Sequence, residues 1–433
     1  MSFLTCLAFS IILFSSHVFY HAERRGVSLE GSSGVRHIRK GSRLSRVHSN
    51  TYFIAVNFYN SAAVLKSFIP ELILLLKLLG PNRCYVSIWE NGSTDGTVEI
   101  LHAFELQLKE MGVQNSIVTE TTSLEKLCEQ SGAHECHTPN MFKHGVRDSN
   151  AITRVTMMAY FRNKPLQPLF KSFKKGIVKN SSNTLFPHAP LNGGTKVLFF
   201  NDIYFSHYDV IELIDTNKMN YDLACALDFE NLKIYDLWVI RDIKGLVLHP
   251  MYPYFWDLDS YWKMLLGQPI QVYSCWNGLV VFDASVMNDK ANTQPVRFRS
   301  WTDMEKRAPL PETSKKKMTE KENAIYEKNV FHFPECTASE CHLFSKDLWD
   351  AGYNKIFVNP LVRVDYDSTQ RYLRLILSPF INFATGCIWI FKGPQYTEEY
   401  NENNDAVNNK DVNRHTNIPP VNVRCGIDYV KEN

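Results

Sequence analysis

From residue 51 onward, β-rich apolar runs alternate with amphipathic segments of helical periodicity. The runs TYFIAVNFYN (51–60) and CYVSIWE (84–90) are predicted strands, and the segment between them, 62–80, has apolar residues at helical spacing and ends at Gly80-Pro81. A second amphipathic segment, 98–112, and a short apolar run follow. This alternation predicts a mostly parallel sheet with helices on its faces.

Later segments continue the pattern and place polar residues where strands end. The apolar run 196–200 stops at Asn201-Asp202, and helical periodicity resumes after Ser206, which begins a capping-box pattern. Ligands of such sheets bind at the carboxyl ends of strands. The predicted fold class is therefore α/β, a mostly parallel central sheet flanked by helices in a single α/β/α sandwich. Further strand candidates are 221–229 and 275–284.

The 433 residues divide into four predicted segments. Residues 1–22 contain an uncharged apolar stretch, which predicts a signal-anchor helix or a cleaved signal peptide. Residues 23–50 are basic and rich in Gly and Ser, as in a flexible stalk. Residues 51–395 form the predicted folded domain, and 396–433 form a polar, largely disordered tail.

Charge near the N-terminus gives a mixed signal about orientation. No positive residue precedes the apolar stretch, and Arg24 and Arg25 follow it, which mildly opposes a lumenal domain. A lone N-terminal apolar segment followed by a stalk nevertheless favours the secretory pathway. We expect a single-pass type II protein in a Golgi or other secretory-pathway membrane, with its folded domain in the lumen. The net charge of +2 predicts no nucleic-acid partner.

Ten cysteines bear on the redox compartment. Cys128 and Cys136 flank a polar loop, and Cys336 and Cys341 lie in CTASEC, so both pairs are candidate small-loop disulfides in an oxidising lumen. The spacing does not match a CxxC zinc site. The apolar stretch 373–391 contains polar residues that argue against a second membrane segment, and it is interpreted as core or as a docking surface.

The Asn201-Asp202 pair is the candidate metal motif. A carboxylate just past a buried strand can bind Mn²⁺ or Mg²⁺, and the cation can hold a substrate diphosphate. Two-carboxylate motifs of nucleotide-sugar transferases act in this way, and here Asn201 stands at the first position. An ordinary Asx turn is the alternative explanation.

A second candidate is the stretch SIWENGSTDGT. Glu90 and Asp95, with Asn57 from the preceding strand, are predicted to contact a base or ribose. The alternative is a turn followed by a helix N-cap. Asn91 begins an N-glycosylation sequon, and if it faces a nucleotide pocket we expect it to carry no glycan.

Four further stretches contain candidates. In IYDLWVIRDIKG, Asp236, Arg241 and Asp242 lie close together, and the arginine can pair with phosphate charge or form a structural ion pair with an aspartate. In CWNGLVV, Trp276 is predicted either to stack on a sugar or base or to lie in the core, and Asn277 begins a turn.

The other two candidates lie towards the C-terminus. In ECTASECHLFSKDLW, one of Glu335 and Glu340 is predicted to contact acceptor hydroxyls or to act at the reaction centre. Arg363, in NPLVRVDY, is predicted to reach a diphosphate, with an ordinary surface arginine as the alternative.

Taken in order, these stretches resemble the fungal capsule-associated α-1,3-mannosyltransferase family. The resemblance covers roughly residues 51–366 and rests on FIAVNFYNSAAVL, ENGSTDGT, VLFFNDIYFS, LDFE…YDLWVIRDIKG, CWNGLVVFDA, SECHLFSKDLW and NPLVRVDY. It implies a nucleotide-sugar transferase A-type fold and mannose transfer from GDP-mannose to a mannose-containing acceptor, with retention and a divalent metal.

The resemblance also assigns roles to positions. Asn201-Asp202 matches the metal and diphosphate motif, with Asp202 as metal ligand, and Glu90 and Asp95 match nucleoside contacts. The remaining candidates, Asp236, Arg241, Asp242, Trp276, Asn277 and Glu340, occupy other motif positions. Two alternatives stay open: a non-catalytic secretory protein of the same fold that assists polysaccharide assembly or export, and a transferase of another sugar, such as xylose from UDP-xylose.

Overall fold

We describe a computed structural model of the chain. The structure describes residues 45–122, 124–131, 149–175, 185–186, 194–230, 232–288, 295–300 and 339–369, with residues 43, 371, 373–374, 377 and 382. The predicted membrane segment, most of the predicted stalk and the predicted tail lie outside these residues. Within them, no helix is long and apolar enough to cross a membrane.

Within the described residues, ten strands form one mixed sheet in the order β3-β2-β1-β4-β9-β5-β10-β8-β7, with β6 paired to β5. The strands are β1 Thr51–Phe58, β2 Cys84–Glu90, β3 Gln114–Thr119, β4 Thr195–Phe200, β5 Leu223–Glu230, β6 Lys233–Ile234, β7 Arg241–Asp242, β8 Ile270–Ser274, β9 Leu279–Asp283 and β10 Ile356–Asp365.

Eight α-helices accompany the sheet within the described part of residues 51–365. They are α1 Ala62–Leu79, α2 Thr97–Glu110, α3 Leu124–Gln130, α4 Ser149–Asn163, α5 Gln167–Lys175, α6 His207–Ile214, α7 Leu258–Leu265 and α8 Glu340–Asp350. As the capping pattern predicts, the N-cap of α6 is Ser206, whose side chain accepts a hydrogen bond from the Tyr208 backbone N–H.

The strand directions bring several chain segments to one edge of the sheet. β3, β2, β1 and β4 pair in parallel, as do β5 and β10. β9 lies between β4 and β5 and is antiparallel to both. Because Phe200 at the carboxyl end of β4 pairs with Leu279 at the amino end of β9, the turn that precedes β9 lies at the same edge as the carboxyl ends of β4, β5 and β10.

Side chains alternate between the two faces of the sheet and build one core on each. From β1, Tyr52, Ile54 and Val56 pack with α1 and α2 on one face, whereas Phe53 and Ala55 pack with α4 and α5 on the other. All five are fully buried. The predicted architecture, a mostly parallel central sheet between helical layers, is confirmed.

Two predictions about this region need correction. The strand predicted from residue 275 begins at Leu279, because 275–278 form the turn at the edge of the sheet. The predicted Cys336–Cys341 disulfide is wrong, since Cys341 is a buried free thiol. A disulfide instead joins Cys225 in β5 to Cys275.

The other predicted disulfide falls partly outside the described residues. Cys128 is disulfide-bonded, but Cys136, its predicted partner, is not among the residues that the structure describes.

Candidate active site

Asp202 lies on the loop between β4 and α6 and is exposed to solvent. The surrounding protein displaces part of the water around its carboxyl group, and this desolvation raises its pKa to about 6, although the charge of Arg162 and a hydrogen bond from Ser61 oppose the rise. Since the residue is exposed, its side chain does not point into the packed interior. An accessible carboxylate at this edge of the sheet is what the proposed metal role requires.

Asn201 is held on both sides of its amide. Its Oδ1 accepts a hydrogen bond of 3.0 Å from Arg162 Nη1, and its Nδ2 donates one of 3.0 Å to the Tyr366 hydroxyl. Its backbone N–H donates to the Gly278 carbonyl at 2.8 Å. The residue before Asp202 is thus fixed to the turn before β9 and to the end of β10.

Arg162 is the buried cation of the site. It comes from the last turn of α4, and its Nε donates to Glu340 Oε1 at 2.7 Å. Its guanidinium lies 5.0 Å from the centre of the Trp276 ring and 5.6 Å from that of Phe199. The aromatic rings below and the carboxylate beside it hold the cation at the level of Asn201.

Asp228, near the end of β5, is fully buried, at 0% exposure. Its Oδ1 accepts a hydrogen bond of 2.7 Å from Asn277 Nδ2, and its Oδ2 accepts one of 3.5 Å from the Tyr366 hydroxyl. Burial, and then the nearby charge of Asp236, raise the pKa of Asp228 to about 7.

Asp236 is partly exposed and lies between two other acids. Its backbone N–H donates to Asp228 Oδ1 at 3.3 Å, and its own Oδ1 accepts from the Val239 backbone N–H at 3.3 Å. Burial, and then the charge of Glu340, raise the pKa of Asp236 to about 6, while Arg162 acts in the opposite direction. Near neutral pH the acid pair therefore carries less than its full negative charge.

A second set of polar atoms lies where β1 and β2 end. Glu90 Oε1 accepts from the Ser93 backbone N–H, while Glu90 Oε2, Asn91 Oδ1 and Asn57 Oδ1 are buried acceptors without a hydrogen-bond partner among the described residues. Asn57 Nδ2 donates to the Phe161 carbonyl at 2.9 Å. Unpaired buried acceptors are rare in folded proteins. Asn91 is buried, which suits the expectation that it carries no glycan.

Asp95 has a structural role that the alternative interpretation anticipated. Its Oδ2 accepts from the Ala62 backbone N–H at 2.9 Å, and its Oδ1 accepts from Thr97 Oγ1 at 2.6 Å. Burial alone would raise the pKa of Asp95, but these hydrogen bonds lower it. Both oxygens are thus engaged at the starts of α1 and α2, which favours the capping interpretation over a nucleoside contact.

Trp276 is fully buried, and it packs edge-on against Phe199, Phe298 and Phe344. This burial leaves no ring face open to a sugar or base, so the structure favours the core interpretation. Its ring instead packs against the guanidinium of Arg162. The predicted stacking contact needs correction for this reason.

Arg241 and Asp242 lie beside the cluster but are bound to local backbone. Arg241 Nη1 donates to the carbonyls of Leu237 and Ile240, at 2.9 and 2.7 Å. Asp242 Oδ1 accepts from the backbone N–H groups of its own turn, and burial raises its pKa to about 6. These contacts favour a structural role, in which Arg241 lies between the charges of Asp236 and Asp242.

Arg363 lies in a different environment from Asp202. Its Nε donates to the Pro360 carbonyl at 3.2 Å, and its guanidinium lies 6.0 Å from the centre of the Phe229 ring. Burial lowers its pKa, and its charged neighbours include Arg374 and Asp365. None of these described contacts places the side chain beside Asp202, so its predicted reach to a diphosphate finds no support in them.

The structure thus brings together Asn201, Asp202, Asp236, Asn277 and Glu340 from the predicted set. It adds three residues that the sequence did not single out, namely Arg162, Asp228 and Tyr366. Asp228 follows a buried apolar run, and that signal was available from sequence. Arg162 and Tyr366 carry no local pattern, because only the packing of α4 and β10 against the other strands places them here.

The donor groups at this edge fit a divalent cation in a limited way. Within the described part of the chain, no three His, Cys, Asp or Glu side chains are grouped so as to hold a metal. Asp202 is an accessible carboxylate, and Mg²⁺ and Mn²⁺ are commonly held by one carboxylate together with substrate phosphates and water. The residues therefore fit a cation that a bound diphosphate completes.

Comparison with known protein families shows which family this chain is related to. Residues 51–347 match the family model described as Cryptococcal mannosyltransferase 1. This chain belongs to that family. The matched span includes Arg162, Asn201, Asp202, Asp228 and Glu340, so most of the cluster lies inside the family's own region. The resemblance to fungal capsule mannosyltransferases is confirmed.

Individual relatives agree with this placement. The Alpha-1,3-mannosyltransferase CMT1 of Cryptococcus neoformans var. neoformans serotype D (strain JEC21 / ATCC MYA-565) is 27% identical over 341 residues, which cover 75% of this chain and 59% of that protein. This chain therefore spans about three-fifths of the relative's length.

Among solved structures, two of S. aureus TarS align at 13% identity. The structure of TarS residues 1–349 gives a TM-score of 0.33 and covers 77% of this chain and 66% of its own. The second TarS structure gives 0.30 and covers 71% of this chain and 35% of its own. These likenesses are weak, and no functional conclusion rests on them.

Proposed function

We propose that this chain is an α-1,3-mannosyltransferase that moves mannose from GDP-mannose to a mannose-containing glycan, with retention, in the synthesis of capsule or cell-wall glycan. The observation that carries the proposal is the accessible Asp202 carboxylate at the carboxyl edge of the sheet, in a chain of the cryptococcal mannosyltransferase family. The relative CMT1 is an alpha-1,3-mannosyltransferase by name, which supports the linkage.

Asp202 is the residue that would hold Mn²⁺ or Mg²⁺. When bound there with the donor diphosphate, the cation would supply charge stabilisation for the departing GDP. Arg162 places a fixed positive charge near the same carboxylate. Because a buried arginine stays protonated at all working pH values, this charge stabilises negative charge without a proton transfer.

The acceptor atoms where β1 and β2 end suit the base of the donor. Asn57 Oδ1, Glu90 Oε2 and Asn91 Oδ1 are buried acceptors to which no side chain or backbone group in the described part of the chain donates. Guanine offers several N–H groups on its pairing edge, and these groups can donate to acceptors of this kind. This chemistry supports a GDP donor.

Asp236 is the carboxylate that we assign to the glycan acceptor. It is partly exposed, whereas Asp228 behind it is sealed from water. A carboxylate in this position accepts hydrogen bonds from sugar hydroxyls and orients them toward the donor. The role is one of orientation, and it requires no covalent step on the protein.

We also propose the secretory pathway as the location, with the membrane reached through the N-terminal apolar segment. The Cys225–Cys275 disulfide supports an oxidising compartment, because structural disulfides are rare in the cytosol.

The test is an activity panel on the purified full-length chain. GDP-mannose, UDP-xylose and other nucleotide sugars are supplied with Mn²⁺ and an α-mannoside acceptor, and product linkage is determined by NMR. We expect α-1,3-mannoside from GDP-mannose alone. Turnover with another donor would replace the proposed sugar, and donor binding without turnover would favour the non-catalytic alternative.

A further inference from the structure

Asn201 stands where a two-carboxylate motif has an acid, and its hydrogen bonds explain why an amide is present. A guanidinium group can only donate hydrogen bonds. The atom of Asn201 that faces Arg162 Nη1 at 3.0 Å must therefore be the carbonyl oxygen. The amide nitrogen is then fixed toward the Tyr366 hydroxyl, also at 3.0 Å.

The same reasoning fixes the direction of the next bond. The Tyr366 oxygen accepts a hydrogen bond from Asn201, so its single proton is available to Asp228 Oδ2 at 3.5 Å. The other oxygen of Asp228 already accepts from Asn277 Nδ2 at 2.7 Å. A chain of donors thus runs in one direction, from Arg162 through Asn201 and Tyr366 to Asp228.

An aspartate at position 201 would break this direction. A carboxylate has no donor, so it would compete with Asp228 for the single proton of Tyr366. It would also add a negative charge close to the buried Asp228–Asp236 pair, whose members already repel each other. The amide is the group that satisfies both neighbours.

This chain of hydrogen bonds also joins four neighbouring strands. Asn201 follows β4, Asn277 precedes β9, Asp228 lies near the end of β5 and Tyr366 follows β10. The Asn201 backbone N–H adds a bond of 2.8 Å to the Gly278 carbonyl. The position of the Asp202 loop relative to the acid pair is therefore set by side chains from every strand in this part of the edge.

We propose that Asn201 is a positioning residue and not a cation ligand. Both polar atoms of its side chain are engaged by the protein, and with Tyr366 it holds the Asp202 loop against Asp228 and Asp236. The inference rests on the proposed function for its effect on catalysis. The hydrogen-bonded chain itself is a property of the protein without substrate.

The experiment compares Asn201→Asp, Tyr366→Phe and the double variant, with Tyr52→Phe as a control. Tyr52 donates a buried hydrogen bond to the Val47 carbonyl on the other side of the protein from this edge, near the start of β1. Three quantities are measured on the full chain: kcat and KM for GDP-mannose, the Mn²⁺ concentration that gives half-maximal activity, and the unfolding equilibrium constant in urea without metal.

We expect both single variants to lower kcat by about tenfold or more, since misplacement of a site loop has effects of this size. The half-saturating Mn²⁺ concentration should stay the same or rise in Asn201→Asp. The factor by which kcat falls in the double variant should be smaller than the product of the factors for the two single variants. Both substitutions disrupt the same hydrogen bond between Asn201 and Tyr366. Tyr52→Phe should keep wild-type kcat and KM.

Two results would overturn the proposal. If Asn201→Asp lowers the half-saturating Mn²⁺ concentration several-fold while kcat is maintained, residue 201 is a cation ligand. If Tyr366→Phe has wild-type kcat, the chain of hydrogen bonds from Arg162 to Asp228 does not position the site.

Unfolding measurements keep the inference separate from the proposed function. If the wild-type chain transfers no mannose, the proposed function fails, and the linked pair is then judged by stability alone. We expect Tyr366→Phe to raise the unfolding equilibrium constant about fivefold in the wild-type background and by less in Asn201→Asp. Equal changes in both backgrounds would show that Asn201 and Tyr366 are not coupled.

Discussion

Arg162 and Glu340 form a buried ion pair of 2.7 Å between residues 178 positions apart in sequence. Arg162 lies in the last turn of α4, and Glu340 is the first residue of α8. The pair therefore joins two helices on the same face of the sheet. Both side chains are less than 10% exposed. The pair thus fixes Arg162, a cation that contacts Asn201, to a helix that begins with a predicted site residue.

Removing this cation should damage both stability and activity. Arg162→Met leaves Glu340 buried without its partner, which costs on the order of 3–5 kcal/mol of unfolding free energy. Arg299→Met is the matched control, because Arg299 forms a similarly buried pair with Asp347 at 2.7 Å. Urea denaturation should show comparable losses in the two variants.

Activity should separate the same two variants. At a temperature where both are folded, Arg162→Met should lose most of its kcat and Arg299→Met should retain it. Equal kcat values would contradict a role for Arg162 in the site.

Stability should fall as pH rises, because several site carboxyls have raised pKa values. The values are about 7 for Asp228 and about 6 for Asp236, compared with about 4 in an unfolded chain. The folded protein therefore holds protons that the unfolded chain has released, and this favours the folded state at low pH. The contribution is complete below about pH 4 and is lost as pH rises to about 7.

Asp228→Asn tests this pH dependence. Because it removes one titrating group, the fall in unfolding free energy between pH 5 and pH 7 should be less steep, by up to about 1.4 kcal/mol per pH unit. Asp95→Asn is the control. The pKa of Asp95 is lowered, so its contribution is lost only at acid pH, and the variant should show a constant offset from pH 5 to pH 8. Parallel wild-type and Asp228→Asn curves in EDTA would contradict the assignment.

Gly278 should be more sensitive to substitution than an equally strained glycine elsewhere. Its φ is +79°, and a Cβ there would lie 3.0 Å from Val364 Cγ2 and 3.4 Å from the Tyr366 hydroxyl. Gly352 has a φ of +89° with nothing within 4 Å of such a Cβ. Each Gly→Ala change costs about 1–3 kcal/mol in backbone strain.

The contacts of Gly278 add a second effect. A Cβ at Gly278 would press on Val364 and on Ile203, whose Cγ2 would be 3.2 Å away, and the Gly278 carbonyl accepts the backbone N–H of Asn201. Gly278→Ala should therefore shift the turn that holds Asn201 and lower kcat, whereas Gly352→Ala should affect thermal stability only. Two variants with equal kcat would show that the position of this turn does not matter for activity.

The sequence predicts those features of the site that residues close together in the sequence determine. The alternation of strands and helices, and the position of Asp202 after a buried strand, follow from periodicity within short windows. For Asp95 and for Trp276 the sequence allows two interpretations each. Helix capping and the burial of a ring depend on which helix or side chain packs against the residue in the folded protein. Arg162 and Tyr366 were missed, since they reach Asn201 only through the tertiary arrangement of α4 and β10.

The disulfide shows the same limit. Short spacing suggested that Cys341 pairs with Cys336, yet Cys225 and Cys275 are joined across 50 residues because β5 and the segment after β8 lie side by side. Loop closure of this length predicts that Cys225→Ala with Cys275→Ala lowers the unfolding free energy by about 4 kcal/mol. Cys84→Ala, which removes a buried free thiol, serves as the comparison in urea denaturation. A loss no greater than that of Cys84→Ala would contradict a stabilising disulfide.

The most direct test of the whole account is calorimetric titration of GDP-mannose, with and without Mn²⁺, into the wild-type chain and Asp202→Asn. We predict that Mn²⁺ tightens donor binding at least tenfold in the wild type and has no effect in the variant, since one carboxylate holds the cation on the diphosphate. Unfolding curves in the absence of metal establish that the variant is folded. Equal enhancement by Mn²⁺ in the two proteins would contradict the assignment of Asp202.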